Sequence, residues 1–221
     1  MAVSRHLVPA LLLALPLAAR ALCTSDAVPQ PQAVLERFTN ADCAECWRDP
    51  KTATPGANTL ALDWIVPGRK GEDAPLSTVA LAEALERLSA LDKPVPERSS
   101  AVGSVRSGAP VPLRLAQGAA FNDYVGTSME LEDPGREPWR AWLLLVESLP
   151  AGTEGSPVPR NLVRNVFRPD WHRAGGRAPG RLSEARAMQI HEGAKPERLR
   201  LVAVLLDARG RIRSISRTEC P

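Results

Sequence analysis

The chain has 221 residues, with 28 basic and 25 acidic side chains and a formal charge of +3 at pH 7. Few aromatic residues lie between the scattered arginines of its second half, so a nucleic-acid-binding protein is disfavoured. We expect those arginines, Arg160 and Arg164 among them, on an ordinary solvated surface. The 21 prolines predict short secondary-structure elements and long loops.

Residues 1–21 have the layout of a cleavable signal peptide. Arg5 supplies a basic start, residues 7–18 form an apolar run, and residues 19–21 (ARA) supply a small-residue cleavage pattern. No other segment reaches the ~18 apolar residues that a membrane helix requires. We therefore expect an exported protein, periplasmic or secreted, with no membrane span.

The first elements after the signal are predicted to be two strands with a cysteine pair between them. Residues 33–38 are apolar and run into a loop, where Cys43 and Cys46 form a CxxC motif. Residues 59–66 (TLALDWIV) read as a second, more buried strand that ends at a Pro-Gly turn.

Residues 76–91 are predicted to form a helix, because leucines recur there at helical spacing. Asp73 or Ser77 can cap its start, since both side chains accept hydrogen bonds from free helix N–H groups. Glu83 and Arg87 stand four residues apart and predict a favourable pair on its surface.

The remainder of the chain is predicted to be β-rich. Residues 92–112 are rich in Pro, Ser and Gly and predict a loop or domain boundary. Ser183 is a candidate cap for a short helix over residues 183–190, and residues 207–210 form a plausible turn. Short β-like runs lie at 113–116, 128–132, 141–147, 162–167, 199–206 and 212–216.

Four cysteines in an exported chain predict two disulfides. Of the three possible connectivities, a local Cys43–Cys46 bridge is the easiest to close and leaves Cys23–Cys220 to tie the chain ends together. In the chain-entropy model so long a loop contributes roughly 5 kcal/mol. Acylation of Cys23 as a lipoprotein residue is a weaker alternative, because Leu22 precedes it.

The run from Val34 to Cys46 (VLERFTNADCAEC) resembles the opening of an uncharacterised family of secreted bacterial proteins with a thioredoxin-like fold. Residues 159–164 (PRNLVR) are similar to a later segment of that family, and together the likeness covers about half the chain. The resemblance implies an α+β protein, with a reduced thioredoxin-like portion at 22–112 packed with a β-rich portion at 113–221.

Two departures from that family concern the cysteine pair. Pro50 and Pro55 limit the helix after the cysteines to about two turns. The resemblance also implies a cis-proline opposite the pair, after a threonine in many members, but no Thr-Pro stands near the expected place. Pro96 is the nearest candidate, and Pro94 is the alternative.

The resemblance implies thiol–disulfide exchange with an unknown protein partner. Cys43 would be the attacking residue and Cys46 the resolving one, because a following helix favours a thiolate on the first sulfur. Asp42 and Glu45 oppose this, since nearby negative charge raises a thiol pKa, so we expect a weakly oxidising pair. Trp47 is a candidate for shielding the disulfide or contacting a partner.

Two other functions remain open for the motif. The cysteines could form an inert clamp in a non-catalytic envelope protein that serves in binding or structure. Their thiolates could also hold copper(I), although the histidines outside the signal, His172 and His191, are not spaced as a ligand pair. No glycine-rich phosphate loop, nucleophile elbow or zinc-protease helix occurs, so we expect no cofactor.

Overall fold

The computed structural model describes residues 23–136, 138–171 and 180–220. The predicted signal peptide and His172 lie outside the described residues. Among the residues it does describe, no helix combines the length and apolar character needed to cross a membrane.

The described residues form eleven strands and two α-helices. The strands are β1 (Cys23–Thr24), β2 (Ala33–Asn40), β3 (Thr59–Val66), β4 (Ser99–Val105), β5 (Leu113–Phe121), β6 (Tyr124–Glu132), β7 (Arg140–Leu149), β8 (Arg160–Phe167), β9 (Arg181–Gln189), β10 (Leu199–Leu206) and β11 (Ile212–Arg217). The helices are α1 (Ala44–Trp47), which is one turn long, and α2 (Ala82–Ala90).

The strands make two sheets, in the orders β1-β5-β6-β9 and β11-β10-β7-β8-β3-β2-β4. Strand β3 runs parallel to β2 and β8, and the other pairings are antiparallel. The predicted α+β thioredoxin-like fold is wrong, because the molecule is a β-rich protein. Strand β3 pairs with β8, and strands β2 and β3 therefore belong to the same sheet as the strands of the second half, β7, β8, β10 and β11. One sheet thus includes both predicted portions.

Strand β7 lies at the centre of the molecule and is buried on both faces. Trp142 and Leu144 point to one face, where they join a cluster with Trp64 and with α2. Leu143 and Leu145 point to the other face and pack against the four-stranded sheet. Because alternate side chains of a strand point to opposite faces, a run of consecutive apolar residues suits this position between two layers.

The seven-stranded sheet curves until its two edges meet at one end. Just after β4, at one edge, the N–H of Ser107 donates to the carbonyl of Ile212 in β11, at the other edge (2.8 Å). The N–H of Val111 donates in the same way to the carbonyl of Arg213 (3.1 Å). The concave face therefore encloses the cluster around Trp142.

Most predicted strands are confirmed, and so is the turn at 207–210. The helix predicted over 183–190 is wrong, because this segment is β9 and pairs with β6 along its whole length. The loop predicted over 92–112 contains β4, which pairs with β2. In both segments the hydrogen bonds to a neighbouring strand override a weak local pattern.

The predicted helix over 76–91 is shorter than expected. Its first residues form an isolated 3₁₀ turn, and α2 begins after Leu81, so neither Asp73 nor Ser77 caps it. Arg87 is buried and donates to the carboxylate of Glu36 at 2.6 to 3.1 Å, rather than pairing with Glu83.

Candidate functional site

The predicted Cys43–Cys46 disulfide is confirmed and lies just beyond the end of β2. The N–H of Cys43 donates to the carbonyl of Asn40 (2.9 Å), and α1 begins at the next residue. The helix is thus one turn rather than two. Both cysteines are largely shielded, with Cys43 4% and Cys46 6% exposed.

Asp42 fastens the loop that follows β3 to the start of the cysteine pair. Its carboxylate accepts hydrogen bonds from the backbone N–H groups of Arg69 (2.9 Å) and Lys70 (3.2 Å). Gly68 makes this approach possible, because a Cβ there would lie 2.2 Å from an Asp42 carboxylate oxygen. Both oxygens of the Asp42 carboxylate therefore accept hydrogen bonds from the loop after β3.

Glu45 lies between the two cysteines in sequence and is the exposed charge of the motif. Its side chain is 64% exposed and pairs with Arg98 at 2.8 Å. The backbone N–H of Glu45 itself lowers the pKa of its carboxyl group; burial opposes this, and the hydrogen bond and charge of Arg98 lower the pKa further. An ionised carboxylate consequently stands beside the sulfurs and disfavours a thiolate there.

Trp47 is buried at the end of α1 and contacts the β7–β8 loop and the start of β8. Its indole N–H donates to the carbonyl of Glu154 (3.0 Å). The guanidinium of Arg160 lies 4.6 Å from the centre of its ring and donates to its backbone carbonyl (2.8 Å). The tryptophan thus fixes the end of the CxxC turn.

A buried ion network under the site is centred on Asp63 of β3. The Asp63 carboxylate accepts from Arg37 (2.6 Å), from Arg160 (3.0 Å) and from the backbone N–H of Asn161 (2.8 Å). Burial lowers the pKa of Arg160 from its ordinary value, and the Asp63 carboxylate opposes that effect. The prediction that Arg160 lies on a solvated surface is wrong.

Arg164 is also buried, rather than solvated as predicted. Its side chain donates to the carboxylate of Glu147 at 2.7 Å, and the other oxygen of that carboxylate accepts from the backbone N–H of Lys195 (3.1 Å). A buried guanidinium needs such a partner because an unpaired charge is costly in the interior.

The same two arginines of the Asp63 network hold the chain that leaves the cysteine pair. Arg160 donates to the hydroxyl of Thr52 (3.0 Å), and Arg37 donates to the carbonyl of Ala53 (3.1 Å). The segment from Trp47 to Ala53 is therefore fixed by contacts that do not involve either sulfur.

Pro96 lies beside the end of β2. Its carbonyl accepts a hydrogen bond from the side-chain amide of Asn40 (3.0 Å), and the backbone N–H of Asn40 donates to the carbonyl of Arg98 (2.8 Å). All peptide bonds of the described residues, including those of Pro96 and Pro94, are trans. The segment before β4 is thus anchored next to the cysteine turn.

A small cavity of about 160 Å³ opens beside α1. Its lining includes Ala44, Trp47, Ile65, Leu76 and Leu162. Most of the lining residues are apolar, and Arg48 and Glu154 are its charged members.

The sulfur and carboxylate atoms of Cys43, Cys46 and Glu45 lie within 4.8 Å of one another. Two thiolates and a carboxylate could bind a soft metal ion only when the pair is reduced, because the sulfurs are otherwise bonded to each other.

The predicted Cys23–Cys220 disulfide is also confirmed, with an S–S distance of 2.03 Å. Cys23 is 1% exposed, and Thr24 forms an isolated β-bridge with Glu219 next to the bond. The two ends of the described chain are therefore joined to each other.

Sequence reasoning missed the Asp63 network. The signal for it was a single acidic residue in the otherwise apolar run TLALDWIV, together with Arg37 inside the preceding strand. A charge inside a strand that is predicted to be buried requires a buried partner of opposite sign.

No family model and no curated protein matches the chain. Among solved structures, it is similar to HBP35 of Porphyromonas gingivalis, with 12% sequence identity and a TM-score of 0.49. The alignment covers 86% of this chain and 74% of that one. This likeness is too low to assign the chain a fold family or a function.

Proposed function

We propose that the protein is exported and exchanges disulfides with a partner protein through Cys43 and Cys46. The observation that carries the proposal is that the residues on both sides of the CxxC pair are held by hydrogen bonds that involve neither sulfur. Two disulfides also fit a compartment in which such bonds persist.

The anchors of the turn lie on both sides of the sulfurs. Asp42 is bound by the backbone of the loop after β3, and Trp47, Thr52 and Ala53 are bound by neighbouring side chains and loops. A disulfide across a sequence separation of 3 contributes only about 2 kcal/mol in the chain-entropy model. Because the turn is already fixed, the bond is free to open and close without unfolding the site.

The exchange follows ordinary thiol–disulfide chemistry. A partner thiolate attacks Sγ of Cys43, the Cys43–Cys46 bond breaks, and Cys46 leaves as a thiolate that takes up a proton. A second partner thiolate then attacks the mixed disulfide and releases Cys43, which is also protonated. The partner is oxidised by two electrons to a disulfide, and the protein becomes a dithiol; the reverse sequence reduces a partner disulfide.

The charges at the site favour the reducing direction. The ionised Glu45 raises the pKa of a nearby thiol and so does not stabilise the reduced form as a thiolate. An oxidant such as a dedicated disulfide donor requires a stabilised thiolate in its reduced form. We therefore expect a reduction potential below that of a dedicated disulfide donor.

The proposal is tested by trapping the mixed disulfide. We expect the reduced Cys46→Ser variant to form a stable adduct with oxidised glutathione at Cys43, detected by intact mass, whereas the reduced wild type passes through it to the internal disulfide. The Cys43→Ser variant is the matched control and should react more slowly, because Cys46 is the resolving residue.

An inert disulfide in a non-catalytic binding or structural protein is the alternative, and the shielding of both cysteines favours it. In that case the pair stays oxidised in glutathione buffers of every ratio, and neither single variant forms an adduct unless the protein is denatured. That result would reject the exchange function.

A further inference from the structure

A cavity of about 600 Å³ opens where the two edges of the seven-stranded sheet meet. It lies between the end of α2, the start of β7 and the turn from β10 to β11. Val105, on its wall, pairs with Ala33 at the start of β2, whereas the cysteine turn follows the other end of that strand. Eight residues of strand put the two sites roughly 23 Å apart.

The interior of the cavity is apolar. Its apolar lining includes Leu91, Ala141, Trp142, Leu206 and Ile212. Trp142 and Ile212 belong to the cluster enclosed by the curved sheet, so the cavity is the open mouth of that enclosure. A concave apolar mouth of a few hundred cubic ångströms is the usual setting for a small-molecule ligand.

The charged lining of the cavity is strongly unbalanced. It consists of four arginines and one acid: Arg87, Arg140, Arg168, Arg211 and Asp170. Such an excess of guanidinium groups around an apolar cavity favours a negatively charged ligand.

Three of the four arginines are paired with acids that lie outside the lining. Arg87 is bound by Glu36, Arg168 by Glu86 at 2.8 Å, and Arg211 by Asp207 at 2.7 Å. These pairs fix the guanidinium groups in place but leave little of their charge for a ligand.

Arg140 differs from the other three. Its side chain is exposed, and its one hydrogen bond within the described residues is a long contact of 3.5 Å to the carbonyl of Ala208. Gly210, with a φ of +77°, lies beside it in the β10–β11 turn, where a Cβ would make an ordinary 3.4 Å contact with Nη2 of Arg140. Arg140 thus lies at the rim of an apolar cavity and has no acidic partner among residues 23–136, 138–171 and 180–220.

We propose that this cavity binds a small amphipathic carboxylate, such as a medium-chain fatty acid. The apolar chain lies against Trp142, Leu206 and Ile212, and the carboxylate accepts two parallel hydrogen bonds from Arg140. A guanidinium with no acidic partner in the described part of the chain matches a single planar carboxylate, which it binds in a bidentate manner. The site is separate from the cysteine pair and does not depend on the exchange function.

Isothermal titration calorimetry of the full mature chain with decanoate tests the proposal, with decanol as the uncharged probe. We expect decanoate to bind and Arg140→Gln to weaken it about tenfold or more, as the loss of a charge-assisted hydrogen bond predicts. Arg209→Gln, on the same turn but outside the lining, is the matched control and should leave the affinity unchanged.

A second variant tests the location of the ligand. Leu206→Trp fills the apolar interior, keeps every charge and should abolish decanoate binding while circular dichroism shows the native fold. Equal binding of decanol and decanoate, or an unchanged affinity in Arg140→Gln, would overturn the proposal. So would an absence of decanoate binding to the wild type, or self-association of the chain that Leu206→Trp abolishes, which would assign the cavity to a second copy.

Discussion

The two disulfides of this protein lie in contrasting surroundings. Cys43 and Cys46 are separated by 3 residues of sequence, and Cys23 and Cys220 by 197. The turn around the local pair is held by Trp47 and by the arginines of the Asp63 network. The contribution of a disulfide to a fold therefore depends on loop length and on what else holds the same segment.

The terminal bridge joins two segments that also make backbone contacts. Strand β1 is two residues long and pairs with β5, and the last residues before Cys220 are held by backbone hydrogen bonds to Thr24 and Leu201. An exposed pair between Asp26 and Arg114 adds little, because solvent screens it. We therefore expect the terminal bridge to stabilise the fold more than the local pair, because it closes a far longer loop.

The largest expected effect is the loss of the terminal bridge. Replacing Cys23 and Cys220 together with serine should lower the free energy of unfolding by about 5 kcal/mol, as chain entropy predicts for so long a loop. Replacing Cys43 and Cys46 together should cost no more than about 2 kcal/mol. Urea denaturation of the two double variants measures both changes in the free energy of unfolding. Equal decreases would contradict the expected difference between the two bridges.

The next effect concerns the Asp63 network, which holds the chain that follows the local pair. Arg160→Met leaves Asp63 with one charged partner and should cost roughly 3 to 5 kcal/mol, the range for breaking a buried pair. It should also loosen the chain from Trp47 to Ala53 and speed alkylation of the reduced cysteines.

Arg164→Met is the matched control for that change, because it breaks the buried pair with Glu147 instead. We expect a similar loss of stability with no change in the alkylation rate of the CxxC thiols. If both variants sped alkylation equally, general destabilisation rather than the Asp63 network would control access to the pair.

A smaller effect is expected from the charge inside the motif. Glu45→Gln removes the carboxylate beside the sulfurs and should raise the reduction potential of the pair by no more than about 20 mV. The shift is small because Glu45 is exposed and paired with Arg98, so that solvent screens its charge. Glutathione titration measures the potential, and a downward shift would contradict the assigned role of Glu45.

The smallest effect is a pH dependence near the terminal bridge. The hydrogen bond from Arg114 lowers the pKa of Asp26 below its ordinary value of 3.8. The pair therefore stabilises the fold above that value, and its contribution is lost as the pH falls through the lower pKa of the folded state.

Asp26→Asn should accordingly cost less than about 1 kcal/mol at pH 7, as is usual for an exposed pair. The difference from wild type should vanish at a pH below the folded-state pKa. Urea denaturation at several pH values checks this, and a difference that grows on acidification would contradict the sign.

The sequence predicts those elements whose local residue pattern is enough to determine the secondary structure. Strands β3 and β10 are apolar runs whose bounds appear in the structure as predicted, and the CxxC spacing gives the local disulfide. Strands β4 and β9 were missed because their residues are stabilised by hydrogen bonds to β2 and β6, which no local pattern records.

In the candidate site, too, local features could be predicted from the sequence and long-range contacts could not. Cys43 and Cys46 are visible as a motif, but the partners of Asp63 come from β2 and β8, and Arg160 is 97 residues away from it in sequence. The fold-class prediction failed for a related reason. The likeness at residues 34–46 is local, and it does not reveal that β2 and β3 share a sheet with the strands of the second half.

The most direct test of the contrast between the bridges is their stepwise reduction in the native protein. The mature chain is titrated with dithiothreitol, the free thiols are alkylated and located by mass, and circular dichroism is recorded on the same samples. We predict that Cys43–Cys46 opens first with an unchanged β-sheet spectrum, while Cys23–Cys220 stays closed until the reductant is in large excess. Simultaneous opening of both bridges, or opening of the local pair only with loss of the β-sheet signal, would contradict the account.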